Sequence, residues 1–99
     1  MAGELARDNR QHLLGVLGRE PDGAELYLAH FLGAGGAERF LRGLAHSPAS
    51  PAAGAFAEAA QANRPIFFAE DGSARSHAEV MALLRERMPA RAAAQGRHA

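Results

Sequence analysis

Short apolar stripes at helical spacing, each closed by glycine or proline, restrict what this chain of 99 residues can form. Apolar residues three and four positions apart mark one face of an α-helix. Gly18 suits the left-handed position after a first helix over about residues 3–17, and Gly33, Gly35 and Gly36 interrupt the next apolar run. The sequence therefore predicts a mainly α fold of about five helices around a single core.

Two capping boxes predict where two of these helices begin. In the first, the Asp22 side chain accepts from the backbone near Glu25 while Glu25 reaches back, and Ser76 with Glu79 repeats the arrangement. We expect the helices after the first at about 23–32, 37–46, 51–63 and 77–88.

The segment "RPIFFAEDGSARS" departs from the helical pattern. Three bulky apolar residues, 66–68, precede the turn signal Asp71-Gly72. This order predicts at most a short strand or hairpin near 66–75, with residues 66–68 extended and partly buried.

Composition sets the class of protein. Hydrophobic residues make up 47% and charged residues 22%, the values of an ordinary globular domain, which we place at 1–89 with a disordered tail at 90–99. The net charge of 0 provides no field that would attract nucleic acid, so no nucleic-acid partner is expected. No apolar run approaches the roughly 20 residues of a membrane span. The start "MAGELARDNR" lacks the apolar core of a secretion signal, and the absence of cysteine excludes disulfides.

The sequence offers no metal or cofactor motif. Its histidines are spread over different elements without the i, i+4 spacing of a helical metal site, and they are His12, His30, His46, His77 and His98. The "GAGGAE" segment lacks the lysine of a phosphate-binding loop. Among the glutamates, Glu38 lies nearest the glycine break, but a place in the first turn of a helix explains it as well as a catalytic role does. We therefore expect no metal, no cofactor and no catalytic residue in this chain.

His30 sits inside the apolar run "YLAHFLGAGG" and has two interpretations. It is either a core histidine satisfied by a backbone carbonyl or a residue that lines a binding groove. The residues themselves leave both open.

The stretches "GELARDNRQHLLGVLGREPDGAELYLAHFLGAGGAERFL" and "ANRPIFFAEDGSARSHAEVMALL" resemble the C-terminal half of the catalytic domain in a bacterial group of lytic transglycosylases, of the soluble-lytic-transglycosylase, lysozyme-like class. In that class the matching helix ends with alanine, tyrosine, asparagine, any residue and glycine, and it lines the glycan groove opposite the catalytic glutamate. Ala29 and Gly33 match the pattern, whereas His30 replaces the tyrosine and Phe31 replaces the asparagine.

The resemblance implies a lysozyme-like fold and a substrate-binding role for Tyr27, His30, Phe31 and Gly33. The family's catalytic glutamate lies earlier in the chain, and nothing in residues 1–20 matches it. The implied function is thus a C-terminal fragment that forms part of a peptidoglycan groove in the cell envelope or periplasm and does not cleave alone.

The alternative is a non-catalytic helical binding or protein-interaction module of the cell envelope. An apolar face left uncovered would then pair with another chain or with a second copy. We expect such a face to include Leu28, Phe31, Phe40, Phe67 and Phe68.

Overall fold

The structure, a computed structural model, describes the backbone of residues 2–87 and the side chains of residues 8–87. The predicted end of the last helix at Pro89 and the predicted tail lie outside the described residues. Within them the chain is mainly α-helical, which confirms the predicted fold class. The helices are α1 (Ala2–Leu17), α2 (Gly23–His46), α3 (Ala52–Ala55), α4 (Ala57–Ala62), α5 (Arg64–Phe67) and α6 (His77–Arg87).

Helix α1 packs along α2, as its apolar stripe requires. Leu13 is fully buried against the core, and the amide nitrogen of the buried Asn9 lies 3.5 Å from the Ala29 carbonyl oxygen. Gly18 ends α1 with a φ of 72°, the left-handed conformation expected at this position. The short loop after it leads straight into α2.

Helix α2 consists of two helical segments, 23–32 and 34–46, that meet at a kink. Gly33 alone leaves the helical conformation, with φ 79° and ψ 165°. Gly35 and Gly36 remain within the helix. A Cβ atom added at Gly33 would have no neighbour within 4 Å, so the backbone conformation, and not a lack of space, requires glycine there. The predicted break is confirmed, and only the first of the three glycines makes it.

The prediction of one continuous helix over 51–63 is wrong. The helix is divided into α3 and α4 at Phe56, whose φ of −134° and ψ of 61° are not helical. Phe56 is the one large apolar residue of this alanine-rich stretch, and it is 6% exposed, with its ring centroid 5.7 Å from that of Phe40. The break turns this single anchor into the core.

The prediction that residues 66–68 are extended is wrong for the first two. The Asn63 carbonyl oxygen accepts hydrogen bonds from the N–H groups of Ile66 and Phe67, which closes the helical turn α5 and buries both side chains. Phe68 is extended and forms an isolated antiparallel bridge with Ala74. The predicted hairpin is therefore present but reduced to one bridge.

His77, at the start of α6, is the histidine of the core. It is 4% exposed, and its Nδ1 donates to the Ser50 carbonyl oxygen at 2.9 Å. Its ring packs 4.8 Å from the Phe40 ring, and a Cβ added to Gly43 would lie only 2.8 Å from its Nε2. The second segment of α2 thus approaches α6 closely because residue 43 has no side chain.

The predicted exposed apolar face is wrong for three of its residues. Leu28, Phe40 and Phe67 are fully buried because α2, α5 and α6 converge on them, while Phe31 and Phe68 are half-buried. Among the described side chains, the exposed large apolar residue is Leu14, at 38%. No helix in the described part of the chain combines the length and apolarity needed to cross a membrane.

Candidate functional site

Three aromatic side chains on the first segment of α2 form a continuous surface, which we call the aromatic surface: Tyr27, His30 and Phe31. Their spacing at i, i+3 and i+4 puts them on one side of the helix. The Tyr27 ring centroid lies 6.2 Å from that of His30, with the rings close to parallel, and 5.2 Å from that of Phe31. Phe31 also packs edge-on against the buried Phe67 ring at 6.2 Å, so the core holds this surface in place.

His30 is exposed, which excludes the core interpretation of this residue. Tyr27 and Phe31 beside it are half-buried, and each presents part of its ring to solvent. A solvated imidazole next to a phenol offers polar groups beside apolar ring faces. Such a combination suits ligands that are themselves amphipathic.

Gly33 directly follows the aromatic surface and sets the direction in which the second segment of α2 leaves it. It brings no side chain and is exposed. Phe31 and Leu32, just before Gly33, form one side of an open groove of about 500 Å³, and Phe56 with the start of α4 forms another. The Arg39 guanidinium covers the Phe56 ring at 4.6 Å. The four residues named from the sequence are therefore neighbours on one helix, beside a groove.

The start of α2 is held by a buried carboxylate. Glu25 is 2% exposed, and it completes the predicted capping box by accepting from the Asp22 N–H at 2.8 Å while its own N–H donates to Asp22. Arg19 grips both Glu25 oxygens, at 3.0 and 2.6 Å, and Arg85 from α6 approaches one of them at 3.4 Å. Glu25 is thus a structural residue whose charge is compensated from two sides.

Asp22 also accepts a hydrogen bond from Arg85. Partial burial raises the pKa of its carboxyl, but the hydrogen bond from the Glu25 N–H and the Arg85 guanidinium at 2.9 Å outweigh this and hold that pKa below its usual value. Because Arg85 lies in α6, the pair connects the start of α2 to α6.

Glu38, the glutamate nearest the glycine break, is engaged on both oxygens. His12 Nε2 lies 2.8 Å from one, and Arg42, one turn along the helix, bonds to the other. The hydrogen bond from His12 and the charge of Arg42 lower the pKa of Glu38. A general acid for glycoside cleavage needs the opposite shift. Glu38 therefore connects α2 to α1 through its contact with His12.

Sequence reasoning did not find the His12 to Glu38 contact, since the two residues are 26 positions apart and no local pattern marks the pair. Among the residues that the structure describes, no three histidine, aspartate or glutamate side chains come together as metal ligands.

No protein-family model matches the sequence. The site's own residues provide aromatic faces, an imidazole and a groove, all suited to binding.

Proposed function

We propose that this chain forms one side of the glycan groove of a lysozyme-like, lytic transglycosylase domain, and that it binds peptidoglycan glycan strands in the bacterial cell envelope. The sequence resemblance over residues 3–41 and 62–84 supplies the family. The aromatic surface supplies the chemistry, because Tyr27, His30 and Phe31 lie together next to the kink at Gly33.

The single observation that carries the proposal is the exposure of His30 beside two aromatic rings. Sugar rings have one face rich in C–H groups, which packs on aromatic faces, and an edge of hydroxyl and acetamido groups, which hydrogen-bonds. The Tyr27 hydroxyl and the His30 imidazole can serve the edge while the ring faces serve the C–H groups.

In the proposal, cleavage depends on a glutamate that residues 1–99 do not provide. In the family that the sequence resembles, one glutamate acts first as acid on the glycosidic oxygen and then as base on a sugar hydroxyl, which yields a 1,6-anhydro product without water. Glu25 and Glu38 are both bound to arginines. Neither carboxyl is free to protonate a leaving oxygen.

The alternative function, a helical interaction module, has less support. It needs a contiguous exposed apolar patch, and such patches exceed a few hundred Å² where they mark an interface. Of the large apolar side chains that the structure describes, Leu14 is the exposed one. We therefore favour glycan binding.

Binding is tested by titrating the chain with a soluble oligomer of N-acetylglucosamine and observing the aromatic and histidine resonances by NMR. We expect shifts at the aromatic surface, and a loss of affinity of about fivefold or more in His30→Ala, the effect of truncating a central contact residue. His46→Ala, at the exposed end of α2, is the matched control and should bind as the native chain does. Equal affinities in the two variants would contradict the proposal.

Cleavage is tested by the loss of turbidity of purified cell walls. We expect none with this chain, because neither Glu25 nor Glu38 is free to act as the acid. Lysis by the chain alone would refute the non-catalytic role and return attention to Glu38.

A further inference from the structure

A second open depression, of about 480 Å³, lies between α5, the hairpin after it and the end of α6. Three arginines from these three elements contribute to its walls. We call it the arginine pocket, after Arg64, Arg75 and Arg87.

The charge of the arginine pocket is unbalanced. It contains three guanidinium groups and one carboxylate, that of Glu70, in a chain whose net charge is 0. Within residues 8–87, no acidic side chain makes an ion pair with any of the three arginines. Four other arginines of the same region are paired with glutamate or aspartate, namely Arg10, Arg19, Arg42 and Arg85.

Arg75 shows the imbalance at the level of one atom. Its Nε is buried and has no hydrogen-bond partner among the described residues. A buried donor without an acceptor destabilises a fold, and native structures rarely contain one. Arg64 is held in place differently, with its guanidinium 4.5 Å above the Phe68 ring, which leaves its N–H edge available. The pocket therefore combines a guanidinium held against an aromatic ring with an arginine whose Nε finds no acceptor among the described residues.

We infer that the arginine pocket binds the carboxylate of a peptide ligand. The planar fork of arginine donors matches the two oxygens of an oxyanion, and charge-assisted hydrogen bonds of this kind are the strong ones. Carboxylate and phosphate share this chemistry. The inference rests on the proposed function in choosing the carboxylate, because peptidoglycan strands carry peptide stems with free carboxylates. The pocket would then hold a stem while the aromatic surface holds the glycan.

The test uses a blocked dialanine peptide with a free C-terminal carboxylate, its C-terminal amide, and inorganic phosphate, each titrated while the arginine Nε resonances are followed by NMR. We expect the free peptide to shift the resonances of the arginine pocket and the amide to leave them unchanged. Arg64→Gln and Arg87→Gln, both exposed, should each weaken binding by about tenfold, the value of one charge-assisted hydrogen bond. Arg10→Gln, which removes the same charge from an exposed pair with Glu20, is the control and should bind normally.

Three results would overturn the inference: equal binding of the acid and the amide, an equal loss of binding in the Arg10 control, or binding of inorganic phosphate by a pocket that does not bind the peptide. The neutral N-acetylglucosamine oligomer separates this inference from the proposed function. If the oligomer binds the aromatic surface while the peptide fails to move the arginine resonances, the proposed function stands and the inference about the pocket fails. If the peptide binds and the oligomer does not, the pocket takes a carboxylate that is unrelated to glycan.

Discussion

Replacement of Gly33 by alanine should destabilise the fold although it adds only one methyl group. The φ of 79° and ψ of 165° at this residue belong to a region that side chains with a Cβ rarely adopt. Holding alanine there costs about 1–3 kcal/mol, and since no atom lies within 4 Å of the added Cβ, no steric clash adds to that figure. In a domain of this size each kcal/mol lowers the melting temperature by roughly 4–8 °C, so a decrease of about 4–24 °C is expected.

Gly35→Ala is the matched control, two residues along the same helix. Its backbone is helical, its added Cβ also meets nothing within 4 Å, and alanine favours a helix over glycine by up to about 1 kcal/mol. The two variants therefore carry the same chemical change with opposite expected signs. Thermal unfolding followed by far-ultraviolet circular dichroism measures both.

A Gly33→Ala protein that melts at or above the native temperature would refute the reasoning. It would mean that the two segments of α2 can join as one straight helix, or that the kink lies elsewhere. A lower melting temperature in both variants would indicate that an added methyl group is crowded at both positions, and it would contradict the open space around Gly33 and Gly35 in the structure.

Three further predictions concern charge and burial. Glu25→Gln should lower the free energy of unfolding by about 1–3 kcal/mol in urea titrations, because two arginines lose a buried charged partner. Glu20→Gln, in an exposed pair, should change the free energy of unfolding by less than about 1 kcal/mol, and equal effects of the two substitutions would contradict the buried network. The lowered pKa of Asp22 stabilises the fold above its unfolded pKa of about 4, and this contribution is lost as the pH falls through the lower folded value. The free energy of unfolding should therefore decrease with pH in acid, and Asp22→Asn should reduce that decrease; the same decrease in the variant would contradict the argument. His30→Ala should leave the melting temperature nearly unchanged. His77→Ala should lose about 2–4 kcal/mol through a cavity and the loss of the side-chain hydrogen bond to the Ser50 carbonyl oxygen, and the reverse order would exchange the structural roles of the two histidines.

The features that the sequence predicts correctly are those decided within about one helical turn. The Asp22 capping box, the left-handed Gly18 and the second capping box at Ser76 depend only on neighbours up to four positions away. Side-chain oxygens and backbone N–H groups at that separation meet whatever the rest of the chain does. Local chemistry alone therefore located the C-terminal end of α1 and the starts of α2 and α6.

The failed predictions share a dependence on distant contacts. Ile66 and Phe67 have the β-favouring character of a strand, but in the structure a helical turn buries both of them in the core. Phe56 interrupts its helix because its partner, Phe40, lies on α2. In each case a contact across the core overrides the local preference.

In the candidate site too, the features set by local spacing can be predicted from the sequence, and those set by distant contacts cannot. The spacing of Tyr27, His30 and Phe31 on one helix face is readable from the sequence, and so is the glycine that ends it. The exposure of His30 is not, because it depends on which side of α2 the other helices cover. Likewise, the burial of His77 follows from the approach of α2 to α6, and nothing in the sequence around residue 77 predicts it.

Gly43 and His77 are 34 residues apart in the sequence, but in the structure they compete for the same volume. Because a Cβ at position 43 would lie only 2.8 Å from the imidazole, a side chain there requires the His77 ring to shift or to be replaced by a smaller group. Descendants of a common ancestral chain should therefore show correlated substitution here: alanine or serine at position 43 should accompany a residue shorter than histidine at position 77, and the histidine should occur with glycine. The packing of the His77 ring on the backbone of Gly43 would thus make the substitutions accepted at the two positions depend on each other.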